Sequence, residues 1–396
     1  MDHEKHQKLS TILSHIGRAG SKTHGFVNLG VQRGSTVLYT NMEERYSYLN
    51  KKYDQALTYG LHGSETHHAL EDAICAIEGG TRCQIVSTGL SAITTPLLAY
   101  MKSGDQILVP DSAYGPLRGF LGGLGENFGF GAIWYDPLIS PEELRELITP
   151  EVKVLYVESP GSHTFEMQDV PALAAVAHGA GLVVMMDNTW GFGHFDPFKH
   201  GVDVSIQALT KYAVGHSDVL LGGVITADEH HWRTVRDAAL SLGQYASPDD
   251  CWLTLRGLRT LVVRQKQQLE SALIVTRWLR EQPEVAEILF PPLEGTVGHD
   301  IWARDFTGGA SLFGLVFAPE IRVAQTHALV DALKLFGIGA SWGGYESLAL
   351  PTTGFITRVK NGGKFAGPVV RFHIGLEDPE DLIADLAAAF KSCLGS

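Results

Sequence analysis

The sequence is poor in cysteine, in positive charge and in long apolar stretches, and each shortage excludes a class of protein. Four cysteines in 396 residues, none spaced as C-x-x-C, are too few for a secreted domain held together by disulfides. Acidic residues outnumber Lys and Arg by 44 to 31, which argues against a protein that binds nucleic-acid phosphates. No stretch approaches the roughly 18 apolar residues of a membrane span, and the charged N-terminal segment lacks the apolar core of a signal peptide. We therefore expect a cytoplasmic protein that binds neither nucleic acid nor membrane.

The sequence is rich in glycine and alternates apolar runs with helical patterns. Glycine occupies 44 positions, above the roughly 7% of ordinary proteins, often where turns follow apolar runs. The apolar runs predict strands at Gln84–Val86, Gln106–Val109, Ala132–Tyr135, Val152–Val157, Leu182–Met186, Val204–Ile206 and Val219–Thr226. The helical patterns between them cover Thr66–Glu78, Ser91–Met101, Pro141–Ile148 and Pro171–Gly179. This alternation predicts an α/β fold with a parallel sheet covered on both faces.

Three regions follow from the same pattern. Residues 1–62 are polar and weakly periodic, so we expect an arm that packs on another domain or subunit. Residues 63–260 carry the strand–helix alternation and form a predicted large domain. Residues 261–396 predict a smaller α+β domain, with strands and helices at Ser311–Phe317, Val323–Leu335, Val369–Ile374 and Pro379–Lys391, entered through a helix over Glu270–Glu281.

Several common motifs are absent or incomplete. The segment Gly122–Gly129 is one residue too long for G-x-G-x-x-G, and no clear strand precedes it, so it matches a dinucleotide loop poorly. Neither G-x-S-x-G nor H-E-x-x-H occurs. The adjacent histidines His67 and His68, and likewise His230 and His231, would diverge on a helix. We expect both pairs at the solvated surface and no metal site.

Three features place a chemically suited group at the end of a predicted strand, where ligands bind in open α/β sheets. Asp187 directly follows one apolar run. Lys211 is an isolated lysine among small and apolar residues, where burial would lower its pKa and make its amine a nucleophile. The segment Ser87–Ala92 joins a strand to a helix, whose N-terminal N–H groups can bind an anion.

Each of these features also has an ordinary explanation: a helix cap, half of an ion pair, or a turn. Together, however, they supply a lysine for a Schiff base, a carboxylate for a pyridinium nitrogen and a phosphate cradle, which pyridoxal 5′-phosphate (PLP) requires. The residues therefore indicate this cofactor while the ordinary explanations stay open.

Longer motifs resemble one family. The segment TKYAVGHSDVLLGG, which begins at Thr210, is similar to the lysine motif of the Cys/Met-metabolism family of PLP enzymes. Within that family the chain most resembles the cystathionine β-lyases, from about Gly25 to the C-terminus. The motifs that carry this resemblance lie at Glu158–Ala172, Arg256–Thr260, Gly298–Phe313, Ser341–Leu348 and Val369–Leu386. Trp342 and Ser162 in particular look like the β-lyase branch.

The resemblance implies a fold-type-I PLP enzyme with a mostly parallel seven-stranded sheet, assembled as a homotetramer whose active sites are shared between subunits. Lys211 would bind the cofactor and shuttle protons, Asp187 would keep the pyridine nitrogen protonated, and Tyr114 would stack on the ring. The phosphate would be held by Ser87, Gly89, Leu90 and Thr210. The substrate would be bound by Arg371, Ser341, Trp342 and Ser162, and Tyr59 of a neighbouring subunit would reach the phosphate or the substrate amine.

The same resemblance implies α,β-elimination of L-cystathionine, or of a related S-substituted cysteine, to a thiol, pyruvate and ammonia, a transsulfuration step toward methionine. Alternatives are an S-alkylcysteine lyase, a γ-lyase or a transsulfuration enzyme of the family, and, from another class, a non-catalytic PLP-binding regulatory protein. The arm departs from the family pattern, because Leu61 and His62 stand where one or two arginines are usual and Glu65 replaces a proline. We therefore expect a weaker hold of the arm on the phosphate and on the distal end of the substrate.

Overall fold

The structure is a computed structural model that describes residues 7–18, 25–358 and 365–395. Parts of the predicted arm, at residues 1–6 and 19–24, and parts of the predicted C-terminal domain, at 359–364 and 396, lie outside the described residues. The described helices are α1 Leu9–His15, α2 Met42–Ser47, α3 Glu65–Glu78, α4 Gly89–Tyr100, α5 Gly115–Phe120, α6 Pro141–Glu146, α7 Val170–Gly179, α8 Glu229–Ser241, α9 Pro248–Leu258, α10 Leu261–Arg280, α11 His299–Asp305, α12 Val323–Ala332 and α13 Pro379–Cys393. None of these helices is long and apolar enough to cross a membrane.

The larger sheet has seven strands, each of which overlaps a predicted one. They are β1 Arg82–Val86, β2 Gln106–Pro110, β3 Gly131–Tyr135, β4 Val152–Glu158, β5 Val183–Asp187, β6 Val204–Ala208 and β7 Gly222–Thr226. Their order is β1-β7-β6-β5-β4-β2-β3. Only β7 runs antiparallel to its neighbours, β1 and β6, so the predicted mostly parallel sheet is confirmed.

Both faces of this sheet are buried, as the continuous apolar runs predict. In β4, Val154 and Tyr156 belong to the core on one face, whereas Leu155 and Val157 belong to the core on the other. Side chains alternate across a strand, so a strand that is apolar throughout needs helices on both sides. Because β4, β5 and β6 are parallel neighbours, their carboxyl ends meet at one edge of the sheet.

The smaller sheet contains β8 Val285–Leu289, β9 Leu312–Phe317, β10 Leu348–Pro351 and β11 Val369–His373, in the antiparallel order β10-β11-β9-β8. Helix α10 packs against α9, β8 and α13, so it connects the two sheets. The strands of the larger sheet lie between residues 82 and 226 and those of the smaller between 285 and 373. Domain boundaries at 62/63 and 260/261 stay a prediction.

The prediction that His67 and His68 lie at the surface is wrong. Both are buried in the first turns of α3, with 5% and 7% of their surface exposed. His67 Nδ1 accepts the N–H of Ser64 at 3.1 Å, and its Nε2 contacts the carbonyl of Ala246 at 2.9 Å. With both ring nitrogens paired, the imidazole caps the helix in the interior without being charged. Of the second pair, His230 is exposed and His231 is half-buried.

Candidate active site

A cavity of about 670 Å³ opens at the carboxyl ends of β4, β5 and β6, facing the smaller sheet. Its volume lies within the ~300–1,000 Å³ of small-molecule sites. The structure brings ten of the predicted site residues to its wall: Gly89, Leu90, Tyr114, Ser162, Asp187, Thr210, Lys211, Ser341, Trp342 and Arg371. The other two, Ser87 and Tyr59, do not line it.

Lys211 lies three residues beyond β6, and its amine points into the cavity. The Nζ atom donates to Ser341 Oγ at 2.7 Å and lies 5.2 Å from the centre of the Trp342 ring. Burial, together with the nearby charge of Arg371, lowers the pKa of this amine to about 8, while Asp187 opposes the shift. A substantial fraction of Lys211 is therefore a neutral nucleophile near pH 8.

Two carboxylates stand side by side at neighbouring strand ends. Asp187 ends β5 and Glu158 ends β4, and the two residues are partners in the sheet register. Burial raises the pKa of both. The neighbouring Asp187 raises the pKa of Glu158 further. Hydrogen bonds from Thr189 and the charge of Lys211 lower the pKa of Asp187. Two like charges this close in the interior cannot both ionise easily, so we expect Asp187 to be ionised and Glu158 protonated.

The N-terminus of α4 points at the same cavity. Thr88 caps the helix by accepting the N–H of Ser91 at 3.0 Å. The first-turn N–H groups at Gly89 and Leu90 have no acceptor within the helix and form a site for an anion. A Cβ at Gly89 would lie 2.7 Å from the Cβ of Ala208 in β6, so glycine is needed for this close approach.

Tyr114 and Thr210 complete the inner wall. Tyr114 precedes α5, and its backbone N–H donates to Glu158 Oε2 at 2.7 Å, which fixes the start of this helix over the strand ends. Tyr114 as a whole residue is 41% exposed, and burial raises the pKa of its phenol. The Thr210 hydroxyl accepts the N–H of Leu221 at 3.0 Å and so holds the lysine segment against the chain leading into β7.

The outer wall combines Arg371 of the smaller sheet with the uncharged loop at residues 339–343. Arg371 in β11 is 7% exposed, and its Nη2 donates to the carbonyls of residues 339, 340 and 341 at 3.3, 3.1 and 3.2 Å. No carboxylate pairs with Arg371 among the described residues. Burial lowers its pKa to about 10, so the guanidinium stays charged at pH 7 and can bind a carboxylate with its free N–H groups.

Gly343 holds this loop against the lysine. Its φ is +85°, and a Cβ there would lie 2.9 Å from both the carbonyl carbon of Lys211 and the nitrogen of Tyr212. A side chain at this position would therefore push the loop off the lysine segment.

Ser87 and Tyr59 lie outside the cavity for different reasons. Ser87 is exposed, and its hydroxyl contacts Ser91 Oγ at 3.1 Å. Tyr59 belongs to the arm and is 51% exposed, with its ring 6.3 Å from that of His62. The role predicted for Tyr59 belongs to a neighbouring subunit, so its place in a single chain neither supports nor opposes that role.

The residues present fit PLP. The cavity combines a partly deprotonated lysine, a carboxylate at a strand end, and a helix N-terminus held close by a glycine that cannot carry a side chain. These groups suit the aldehyde, the pyridine nitrogen and the phosphate of that cofactor. Lys211, Asp187 and the first turn of α4 would hold it.

Sequence reasoning missed several residues of the cavity wall, among them Glu158, His163 and Phe355. Glu158 carries the same signal as Asp187, a carboxylate directly after an apolar run, and could have been found by it. His163 and Phe355 come from loops on different sheets, and no pattern in the sequence relates them.

Comparisons with known proteins show which family the chain resembles. The model of the Cys/Met metabolism PLP-dependent enzyme family matches residues 10–391. A relative from Rhizobium johnstonii is 44% identical over 96% of both chains. The cystathionine beta-lyase MetC of Escherichia coli K12 is 39% identical over 97% of this chain and 98% of its own. Among solved structures, cystathionine gamma synthase of Xanthomonas oryzae pv. oryzae in complex with cystathionine superposes with a TM-score of 0.90, at 27% identity, over 98% of this chain and 99% of that one.

Proposed function

The chain belongs to the Cys/Met metabolism PLP-dependent enzyme family, and from that premise we propose that it is a carbon–sulfur lyase that acts on L-cystathionine by α,β-elimination. One observation carries the proposal: a half-buried amine, Lys211, and a buried arginine, Arg371, line one cavity, Lys211 from the segment after β6 and Arg371 from β11. An α-amino acid presents a Cα proton that a neutral amine can remove and a carboxylate that a guanidinium can bind. The family relatives named as cystathionine beta-lyases favour the β-acting reaction.

PLP, when bound, supplies an electron sink for the charge that develops at the substrate Cα. Lys211 Nζ, as a neutral amine, removes the Cα proton, and as an ammonium it can return that proton to the departing sulfur. Asp187, as a carboxylate, holds the proton on the pyridine nitrogen. The Glu158 side chain accepts the backbone N–H of Tyr114 and so positions Tyr114 for its ring to stack on the cofactor.

Arg371 orients the substrate by binding its α-carboxylate, with Ser341, Trp342 and Ser162 around it. This places the Cα–H bond toward Lys211 and leaves the sulfur arm free to extend along the cavity. Breaking the Cβ–S bond releases a thiol, and hydrolysis of the remaining fragment with one water gives pyruvate and ammonia. With L-cystathionine the thiol is homocysteine, which fits a transsulfuration role in methionine biosynthesis.

A panel of thioethers tests the proposal, with pyruvate and 2-oxobutyrate measured separately. Pyruvate from L-cystathionine is the expected result. 2-Oxobutyrate instead would indicate a γ-lyase, and pyruvate from S-alkylcysteines alone would indicate an S-alkylcysteine lyase. Neither keto acid from any thioether, with bound cofactor, would favour a non-catalytic PLP-binding protein.

We propose further that the chain assembles as a homotetramer in which Tyr59 of one subunit completes the site of another. Supporting this, the arm exposes large apolar side chains, among them Leu38 at 90% and Phe26 at 78%. Exposed apolar patches of this kind mark protein–protein contacts. We also propose a cytoplasmic location, supported by four cysteines that form no disulfide.

A further inference from the structure

The end of β5 carries Asp187 into the wall of the cavity. We call residues 187–189 the Asp187 segment. Within it, the N–H of Thr189 donates to Asp187 Oδ1 at 3.0 Å. The N–H of Asn188 donates to the carbonyl of Ile206 in the neighbouring strand β6, also at 3.0 Å. The direction of the Asp187 carboxylate is therefore set by the position of this segment.

Asn188 ties the Asp187 segment to a helix on the other side of the chain. Its side chain is fully buried and does not line the cavity. The Nδ2 atom lies 3.2 and 3.1 Å from the two carboxylate oxygens of Glu78, the last residue of α3. Glu78 Oε2 also accepts the hydroxyl of Ser205 in β6 at 2.7 Å. One carboxylate thus holds both the Asp187 segment and the strand beside it.

Glu78 is a fully buried carboxylate without a counter-ion. No Lys, Arg or His forms an ion pair with it in the described part of the chain. Burial raises its pKa to about 7, and the hydrogen bonds from Ser205 and Asn188 oppose that shift. Burying a carboxylate in this way costs free energy, whereas a satisfied buried network makes its surroundings rigid. The contacts of Glu78 therefore indicate a role in fixing Asn188 and Ser205.

We propose that Glu78 is a positioning residue, which fixes the Asp187 segment through Asn188 and so directs the Asp187 carboxylate toward the pyridine nitrogen of PLP. This inference rests on the proposed function, because it depends on the role of Asp187 there. Glu78 does not line the cavity, so it acts on the cofactor only through Asp187. Its contribution to PLP binding should therefore disappear once Asp187 has lost its charge.

Glu71 provides a matched control on the same helix. It lies about two turns before Glu78 in α3. It is also buried, and burial also raises its pKa to about 7. Its Oε2 accepts from Gln55 Nε2 at 3.3 Å, and no hydrogen bond joins it to the Asp187 segment within the described residues. Glu71→Gln and Glu78→Gln thus remove the same group from one helix, and only one of them affects the contact with Asn188.

The test measures PLP affinity by equilibrium dialysis, with Asp187 intact and in the Asp187→Asn background. With Asp187 intact, Glu78→Gln should weaken PLP binding about tenfold, the loss for one hydrogen bond to a charged group. In the Asp187→Asn background the same substitution should weaken it by less than about threefold, since coupled residues are not additive. Glu71→Gln should change the affinity by less than about threefold in both backgrounds. For L-cystathionine, Glu78→Gln should lower kcat and leave KM within about threefold, because Arg371 is untouched.

Ser205→Ala decides the matter if Glu78→Gln does not fold, because it removes one donor to Glu78 and leaves the carboxylate in place. We expect it to weaken PLP binding about fivefold with Asp187 intact, and less than about twofold in the Asp187→Asn background. Thermal unfolding of each cofactor-free variant shows whether it is folded.

Equal losses of PLP affinity in the two backgrounds would overturn the inference, since they would mean that Glu78 acts on the structure as a whole. Unchanged affinity in Glu78→Gln, or an equal loss in Glu71→Gln, would overturn it as well. If Asp187→Asn alone leaves PLP affinity unchanged, the role of Asp187 falls and this inference with it. Pyruvate formation tests the proposed reaction separately, so pyruvate together with equal losses in the two backgrounds removes the inference alone.

Discussion

Burial removes water from both Lys211 and Arg371, but it has different consequences for their charge at pH 7. The amine of Lys211 can release its proton, and its pKa falls to about 8. The guanidinium of Arg371 keeps its proton at pH 7 even with a pKa of about 10. The same apolar surroundings thus create a neutral base and an unpaired cation, which are the two groups that an amino-acid substrate needs.

The lowered pKa of Lys211 predicts how the cofactor-free protein takes up PLP. Only the neutral amine attacks an aldehyde, so the uptake rate should rise with pH around a midpoint near 8, instead of the ~10.4 of an exposed lysine. The measurement is the growth of cofactor absorbance in apoprotein at a series of pH values. Arg371→Gln removes a charge that lowers this pKa and should move the midpoint upward. Lys211→Ala should give no such band and no lyase activity, and a midpoint above about 10 in the parent would contradict the burial argument.

Arg371→Lys should raise KM strongly, because a point charge cannot reproduce a two-pronged bond to a carboxylate. The loss of about 1.5–3 kcal/mol for a charged hydrogen bond corresponds to about 10- to 150-fold in KM. Arg264→Lys is the control, since Arg264 is also buried and donates to the carbonyls of Tyr212 and Gly257. That variant should lose stability without a rise in KM. A change below about threefold for Arg371→Lys would place the α-carboxylate elsewhere.

The neighbouring carboxylates Asp187 and Glu158 should respond very differently to the loss of charge. Glu158→Gln keeps an oxygen that can accept the N–H of Tyr114 and replaces a group that we expect to be neutral, so cofactor affinity should change by less than about threefold. Asp187→Asn removes a needed charge and should weaken PLP binding and turnover together, by at least about tenfold each. Equilibrium dialysis measures the PLP affinity of each variant, and steady-state kinetics measures its kcat. Equal effects of the two substitutions would show that the charges are assigned wrongly.

At the scale of elements, the sequence was most informative where strands are buried on both faces. All seven strands of the larger sheet were predicted to within a few residues, because continuous apolar runs end at turn residues. The antiparallel direction of β7 could not be predicted, since a buried strand has the same composition in either direction. The amphipathic helices α8 and α9 and the short strands β8 and β10 gave no pattern strong enough to predict.

From residue patterns alone, the site could be predicted only where one local segment carries the chemistry. The family resemblance supplied Arg371, Ser341, Trp342 and Ser162, which also line the cavity. Lys211 and Asp187 are visible because each follows its own strand. His163 and Phe355, whose ring centres lie 5.9 Å apart, become neighbours only when segments from the two sheets pack together, and no local pattern records that. His67 shows the opposite failure, because a polar side chain whose hydrogen bonds are satisfied internally looks like a surface residue in the sequence.

The arm, residues 1–62, predicts a weaker hold on the cofactor at Leu61 and His62. Leu61 has no donor, and His62 contacts Thr58 Oγ1 at 2.5 Å while burial and the charge of Arg236 lower its pKa. Neither supplies a positive charge at pH 7. Replacing Leu61 and His62 with Arg should slow PLP dissociation about tenfold, the gain for one charged hydrogen bond. Dilution followed by loss of cofactor absorbance measures this. Substitution of Arg45 with Lys provides a control, since Arg45 is a half-buried arm residue over the ring of Tyr39. Unchanged or faster dissociation in the double variant would mean that the arm does not reach the phosphate.

For the whole molecule, the proposed sharing of sites between subunits predicts complementation. Tyr59→Ala and Lys211→Ala should each be inactive alone, because one lacks the group from the neighbour and the other lacks the base. Random mixing of the two by co-expression should restore about a quarter of the parental activity, since some sites then receive intact residues from both chains. Light scattering should show the same oligomer in the parent and both variants. A mixture with no restored activity would mean that each chain builds its site alone.

The loop at residues 339–343 holds Arg371 by three carbonyls, accepts the amine of Lys211 at Ser341 and rests on the lysine backbone at Gly343. In the proposed function, acid–base chemistry and binding of the substrate carboxylate therefore both depend on this one loop between the two sheets. Any movement that separates the two sheets would break the contacts of this loop with Lys211 or Arg371, and the two groups would no longer face one substrate together. A half-open molecule could then neither hold an amino acid by its carboxylate nor remove its proton, so a partly bound substrate would be released unchanged, not processed wrongly.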